Sequence, residues 1–177
     1  MILLFPQATT AFNRLIQEMI ENNIADKFLE KSLGSYDFDN VSKVVLIVLK
    51  NKLVEDFLRG FLSKSNEIRN YEIVVLENET SGSICSILMA TPILNKEAII
   101  ISALDQIVVG QTLNFNDFKG MSDVDVIAPT YRSSDPLLCY TLEDEVGRVI
   151  QLFEKKAVSG DAILGVYFIR NFSDFFR

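Results

Sequence analysis

Short apolar runs alternate with helix-like patterns over the first 104 residues, and this alternation limits the possible folds most strongly. The runs are strand-length and nearly continuous, which is typical of strands buried on both faces. They are MILLF, which we expect Pro6 to end, KVVLIVL, YEIVVLE and EAIIISAL. Three amphipathic helical segments separate them: TTAFNRLIQEMIENN, LVEDFLRGFLSK and SGSICSILMATPIL. Strand and helix in alternation predict an α/β fold with a mostly parallel sheet and helices on both faces.

The second half of the chain has a different pattern of apolar segments. Its apolar segments are short and separated by turns rather than helices: VDVIAPTYRSS, LCYTLEDEVGRVIQLFEKK and AILGVYFIR. Gly147 lies in a hairpin-like turn between Tyr140 and Val149, so this region predicts antiparallel additions to the sheet. Because neither a linker nor an internal repeat interrupts the 177 residues, we expect a single domain over residues 1–177.

Composition excludes several kinds of chemistry. The sequence contains no histidine, which removes Ser-His and Cys-His catalysis and histidine zinc sites. The net charge is −7 without a run of Lys or Arg, so nucleic-acid binding is disfavoured. An acidic protein still binds a nucleotide when Mg²⁺ supplies the positive charge.

The sequence contains no segment that predicts export or membrane insertion. MILLF is too short for a signal peptide, and the longest apolar runs are far shorter than a membrane span. We therefore expect a soluble cytoplasmic protein without membrane contact.

A single acid, Asp105, follows the apolar run of residues 99–104. In open α/β sheets, ligands bind beyond the carboxyl ends of the strands, so a carboxylate at this position can hold a metal ion. The alternative is that Asp105 only caps the strand end or the following turn.

Three spaced segments carry a resemblance to a known family: VVLENETSGSICSILMA, IIISALDQIV and GRVIQLFEKKAVSGDAILGVYFIRNFSDFF. In order and spacing they resemble the sugar-1-phosphate nucleotidyltransferases, especially the small ones of bacterial capsule and surface-polysaccharide loci. The resemblance covers roughly Lys43 to the end. It implies a Rossmann-like, three-layer α/β/α fold of the glycosyltransferase-A type. It also implies that a nucleoside triphosphate reacts with a sugar 1-phosphate and releases pyrophosphate, with Mg²⁺ as cofactor.

The resemblance also assigns expected roles to individual residues. Asp105 is the expected metal ligand and, with Lys155, a catalytic residue. The substrate-binding residues implied by the resemblance are Thr80, Gly82, Glu154 and Gly165. Gln7, Ala8 and Thr9 are added because they occupy the place of the family's phosphate-binding loop. Four of these residues also have a purely structural interpretation: Gly82 and Gly165 as turn or packing residues, and the Glu154–Lys155 pair as a solvated strand end.

The start of the chain departs from the family pattern. The family's first strand leads into a Gly-rich loop that cradles the triphosphate with backbone N–H groups. Here FPQATTAFNRLIQ contains no glycine, and either it replaces that loop or the loop is deleted. Three hypotheses follow: a working nucleotidyltransferase, a protein that binds a nucleotide or sugar phosphate without turnover, or a structural protein that keeps only the fold. A homo-oligomer is possible because exposed edge strands are expected in the second half.

Overall fold

The computed structural model describes residues 1–94, 97–109, 112–114, 116–121 and 123–175, without the side chains of Asp117, Lys119, Asp174 and Phe175. Its strands are β1 (Ile2–Gln7), β2 (Lys43–Leu49), β3 (Tyr71–Leu76), β4 (Ile99–Ile101), β5 (Val126–Ile127), β6 (Thr130–Arg132), β7 (Tyr140–Glu143), β8 (Val149–Phe153), β9 (Asp161–Ile163) and β10 (Tyr167–Ile169). Its α-helices are α1 (Thr10–Glu21), α2 (Ala25–Leu33), α3 (Lys52–Lys64), α4 (Ser83–Met89), α5 (Asn116–Lys119) and α6 (Phe172–Phe175), with a 3₁₀ turn at Thr91–Ile93.

The larger sheet is mostly parallel with antiparallel additions. Across the described residues its strand order is β3-β2-β1-β4-β10-β5. The first four strands in this order are parallel, whereas β10 runs antiparallel to both β4 and β5. This confirms the predicted fold class. Since the chain builds outward from β1 to β3 and then returns to the other side of β1, the order reverses between β1 and β4. Such a reversal opens a crevice at the carboxyl ends of these two strands.

Helices cover both faces of this sheet. On one face, apolar residues of α1, α2 and α3, such as Phe12, Leu29 and Leu58, pack in one buried cluster with the strands. On the other face, Ile87 of α4 and Phe172 of α6 belong to a second buried cluster. The result is the predicted three-layer α/β/α arrangement. In the described part of the chain, no helix combines the length and apolar character needed to cross a bilayer.

The first strand is longer than the sequence predicts. We expected Pro6 to end it, but β1 continues to Gln7, and Pro6 pairs in register with Ile47 of β2. The carbonyl of Leu4 accepts a hydrogen bond from the Ser102 N–H, on the side of β1 that faces β4. Backbone groups two residues apart point to the same side of a strand, so the nitrogen of Pro6 also faces the β4 side. β4 ends at Ile101, before it reaches the level of Pro6, so the missing N–H of proline breaks no ladder bond.

The second half adds a smaller antiparallel sheet. Its order in the described residues is β6-β9-β7-β8, and β7 and β8 form the predicted hairpin. The segment AILGVYFIR forms two strands in different sheets, β9 in the smaller and β10 in the larger. Gly165 lies between them with φ of +82°, a backbone conformation that side chains with a Cβ rarely adopt. This glycine is therefore where the chain passes from one sheet to the other.

Candidate functional site

The crevice between β1 and β4 begins with the residues that follow β1. Ala8 and Thr9 alone connect the strand to α1, and Thr9 is the N-cap, with its Oγ1 accepting the Phe12 N–H at 3.1 Å. Gln7 and Ala8 are buried, whereas Thr9 is exposed. Of the three substrate contacts predicted here, only Thr9 presents an exposed side chain. The helix N-terminus behind it favours an anion.

Asp105 follows β4, the neighbour of β1 at the reversal of strand order, and is exposed. Residues at the end of α2 hold the backbone around it. Ser32 Oγ donates to the carbonyl of Leu104 at 2.7 Å, and Ser35 Oγ accepts the Val108 N–H at 3.0 Å. These two bonds fix the segment on both sides of Asp105, so its carboxylate projects from an anchored turn.

A buried hydroxyl pair lies beneath this turn. Tyr36 Oη and Ser102 Oγ are 2.5 Å apart, and Gln106 Nε2 donates to the same Ser102 oxygen at 2.9 Å. Tyr36 also packs edge-to-face on Phe5, with ring centroids 5.7 Å apart. Burial raises the pKa of Tyr36, and the negative charge of Asp105 adds to the rise while the hydrogen bonds with Ser102 and Gln106 oppose it. Tyr36 therefore remains a neutral hydroxyl at physiological pH.

The loop after β3 reaches the start of α1. Glu79 accepts hydrogen bonds from both the N–H and the hydroxyl of Thr10, at 3.2 and 3.0 Å. Thr80 Oγ1 donates to the carbonyl of Gly82 at 2.9 Å and lies 2.7 Å from Ser86 Oγ. Gly82 has φ of +150°, and a Cβ built on it would meet open space, so glycine is needed here for its backbone conformation. The two predicted substrate-binding segments, residues 7–9 and 80–82, thus meet through Glu79.

A cleft of about 950 Å³ separates the two sheets and continues from the Asp105 turn. Gln106 and Gly165 line it together with Tyr167, and aromatic and aliphatic side chains form most of the remaining wall. A Cβ on Gly165 would lie 3.2 Å from Gln106 Oε1, so the absence of a side chain keeps this part of the cleft open. Burial raises the pKa of Tyr167, which keeps this hydroxyl neutral as well. Of the predicted substrate-binding residues, Gly165 is the one in this cleft.

Glu154 and Lys155 follow β8 at the far edge of the smaller sheet. Both are largely exposed, and Lys155 Nζ lies 3.8 Å from Glu154 Oε1. Lys155 has a positive φ of 51°, as expected for a tight turn. Neither residue is among the described residues that line the cleft. Their predicted roles beside the sugar and phosphates remain predictions.

The described residues support a metal ion only in part. Within the described ranges, no group of three or more Asp, Glu or Cys side chains could hold one. Mg²⁺, however, commonly binds one or two carboxylates together with substrate phosphates and water. A single exposed carboxylate at Asp105 fits that arrangement when a phosphate completes it.

Three residues of this site have no sequence signal. Tyr36 falls in a segment of mixed polarity, and Ser102 is one polar residue in an apolar run. Glu79 contacts Thr10 across 69 residues. Only the pairing of distant segments brings them together.

No protein-family model matches the sequence, and no curated protein does either. Solved structures do match. The nucleoside-diphosphate-sugar pyrophosphorylase from Vibrio cholerae RC9 has a TM-score of 0.71 at 16% identity, over 99% of this chain and 75% of that one. A proposed glucose-1-phosphate thymidylyltransferase from Bacillus anthracis, in complex with a sucrose, has a TM-score of 0.71 at 9% identity, over 96% and 70%. The inositol-1-phosphate CTP transferase from T. maritima has a TM-score of 0.64 at 12% identity, over 96% and 69%.

This chain has the fold of these nucleotidyltransferases. The fold implied by the sequence resemblance is confirmed. Identities of 9–16% show the fold and no more, because one fold supports many activities.

Proposed function

We propose that this chain is a nucleotidyltransferase of surface-polysaccharide precursor synthesis. It transfers a nucleotidyl group from a nucleoside triphosphate to a sugar 1-phosphate or a similar phosphate, in the cytoplasm. The supporting observation is the reversal of strand order, where Thr9 follows β1 and Asp105 follows the neighbouring strand β4, together with the cleft beyond Gln106, which offers room for an acceptor.

The proposed reaction needs alignment and charge neutralisation more than a protein acid or base. An oxygen of the acceptor phosphate forms a bond to the α-phosphorus, the bond from that phosphorus to the bridging oxygen breaks, and pyrophosphate leaves. Asp105 would hold Mg²⁺, which neutralises phosphate charge. Thr9 and the start of α1 would contact a phosphate, with the Thr80–Gly82 turn beside the nucleoside. Lys155 would approach the phosphates and Glu154 the sugar. The absence of histidine is then no obstacle.

One observation favours a second candidate, binding of a nucleotide or sugar phosphate without turnover. The connection between β1 and α1 consists of Ala8 and Thr9, and Ala8 is buried. A connection this short leaves little backbone to surround a triphosphate, whereas one helix N-terminus is enough for a smaller anion. Both candidates thus predict the same ligand site, but only the transferase predicts that the bound nucleotide is consumed.

A thermal-shift experiment tests the common part of both candidates. Each nucleoside triphosphate is added with Mg²⁺ to the wild-type chain and to Asp105→Asn. At a ligand concentration about 100 times Kd, we expect the wild-type Tm to rise by about 5–10 °C. The rise should be lost in Asp105→Asn. Asp26→Asn, which removes one exposed carboxylate from α2, is the matched control and should keep the full rise. If no nucleotide raises the wild-type Tm, both candidates are wrong.

Pyrophosphate release then separates the two candidates. The wild-type chain is incubated with the stabilising nucleotide, Mg²⁺ and a panel of sugar 1-phosphates. Release that depends on the acceptor and is lost in Asp105→Asn supports transfer. A stabilising nucleotide without release from any acceptor supports binding alone.

A further inference from the structure

One edge of the smaller sheet is open to pairing. In the described part of the chain, β8 is the last strand of the order β6-β9-β7-β8, and its pairing is with β7. The outer edge therefore presents backbone N–H and C=O groups to solvent. Natural proteins protect such edges with charges, bulges or short strands, because an open edge is a template for another strand.

The side chains of β8 provide little of this protection. Val149, Ile150 and Leu152 are 51%, 65% and 59% exposed. The other sheet edges differ: β3 carries Glu72, which is paired with Lys43, and the three-residue β6 carries Arg132, paired with Asp161. The last edge strand, β5, exposes Val126 but is only two residues long. β8 thus combines an open backbone edge with apolar side chains.

The sequence around β8 is complementary to itself when two copies run antiparallel. With Gln151 at the centre, Val149 faces Phe153 and Ile150 faces Leu152 of the other copy. The same register sets Arg148 opposite Glu154, twice by symmetry. Both side chains reach solvent, with exposures of 80% and 77%. A parallel, in-register pairing would instead set each of these charges against its own like, which is unfavourable.

We propose that this edge is the interface of a homodimer, in which β8 pairs antiparallel with β8 of a second copy about Gln151. The two symmetric Arg148–Glu154 pairs fix the register, and the apolar side chains are covered. Glu154 thereby gains a role that does not depend on the proposed function, in keeping with its position outside the cleft.

A short strand limits how tight this dimer is. The five residues of β8 include a bulge, since Gln151 pairs with Leu142 while Val149 pairs with Glu143, which leaves Ile150 as the extra residue. A bulge bends the strand. Stable interfaces bury about 1,600 Å² in total, more than two such strands supply. We therefore expect a concentration-dependent dimer in exchange with monomer.

Sedimentation velocity of the full chain tests the interface. From about 1 to 500 μM, the wild-type mass should rise from 20.0 kDa toward twice that value. Ile150→Lys should remain monomeric over the same range. Met89→Lys removes a similarly exposed apolar residue, at 62%, from α4 and should dimerise as the wild type does. A wild-type chain that is monomeric throughout, or an Ile150→Lys variant that still dimerises, overturns the proposal.

A charge-reversal cycle tests the register. Arg148→Glu and Glu154→Arg each set like charges together in the proposed dimer and should each weaken dimerisation about tenfold. The double variant restores two opposite-charge pairs and should recover most of the loss. Because Arg148 also bonds Asp144 in its own turn, thermal melts establish that each variant is folded. A folded double variant as weak as the two single effects combined overturns the antiparallel register. Ile150→Lys changes no residue of the proposed ligand site and should keep the wild-type Tm rise with nucleotide, so failure of the dimer and failure of the proposed function give different results.

Discussion

Thr10 and Glu79 are 69 residues apart in sequence, yet both carboxylate oxygens of Glu79 accept hydrogen bonds from Thr10. One bond comes from the backbone N–H at the start of α1 and the other from the hydroxyl. The contact joins the end of β1 to the loop after β3, so the two segments with predicted ligand contacts are held in one position relative to each other.

We expect Glu79→Ala to weaken nucleotide binding more than it weakens the fold. Both partners are exposed, so we expect the free energy of unfolding to fall by only about 1 kcal/mol. The Tm rise with nucleotide and Mg²⁺ should fall by half or more, because residues 7–9 and 80–82 are no longer held together. Glu77→Ala is the matched control. Glu77 lies in the same loop as Glu79, but its exposed ion pair is with Lys50 and not with Thr10. Equal Tm rises in the two variants would contradict this prediction.

Tyr36→Phe should destabilise the chain by about 1–2 kcal/mol in urea unfolding. The substitution keeps the ring contact with Phe5 but removes the hydroxyl beside Ser102 in a buried location. Tyr71→Phe removes a longer, exposed hydrogen bond to the Arg59 carbonyl at 3.4 Å and should change the free energy of unfolding much less. A larger effect at Tyr71 than at Tyr36 would show that the buried pair contributes little.

Alkaline pH should destabilise the wild-type chain through the same residue. Burial raises the pKa of Tyr36 above the ordinary 10.0, so the folded state favours the neutral hydroxyl. This contribution to stability is complete below pH 10 and is lost as the pH rises from there through the folded-state pKa. Free energies of unfolding measured from pH 8 to 11 should fall less steeply for Tyr36→Phe than for the wild type. Parallel curves would refute the expectation.

Gly165→Ala should lower the free energy of unfolding by about 1–2 kcal/mol, because alanine is strained at a φ of +82°. The new methyl group would also crowd Gln106 Oε1 at the cleft. Gly60→Ala, within α3 and with no atom within 4 Å of the new Cβ, is a control of opposite sign and should stabilise by about 0.5–1 kcal/mol. Chemical denaturation of both variants checks the pair, and a loss at Gly60 equal to that at Gly165 would contradict the argument.

The parallel half of the fold could be predicted because local pattern and tertiary structure agree there. The run KVVLIVL can bury its apolar side chains on both faces only between two helical layers, and β2 occupies that position. That Asp105 follows β4 was predicted by the same logic, although the strand ends at Ile101 and Asp105 lies in the turn beyond it. The roles of Asp105 and Lys155, the use of Mg²⁺ and the single domain remain predictions.

The remaining features depend on contacts that no local pattern encodes. The run AILGVYFIR has the composition of one long strand, and only the pairing of β9 and β10 with different partners reveals the break at Gly165. Likewise, Glu154 and Lys155 are adjacent to an apolar strand, but the sequence does not indicate that this strand lies at an edge. Pro6 was expected to end β1, and the early end of β4 explains why it does not.

The position of β10 has a consequence for synthesis. β4 is flanked by β1, which is translated before it, and by β10, whose Tyr167 pairs with Ile101. On the ribosome, the apolar edge of β4 at Ile99–Ile101 therefore has no β10 to pair with at first. It stays exposed until residues 167–169 have been translated and have left the exit tunnel. During that interval we expect the polypeptide to be a substrate for holding chaperones, and a truncated product ending before Tyr167 would leave that border exposed.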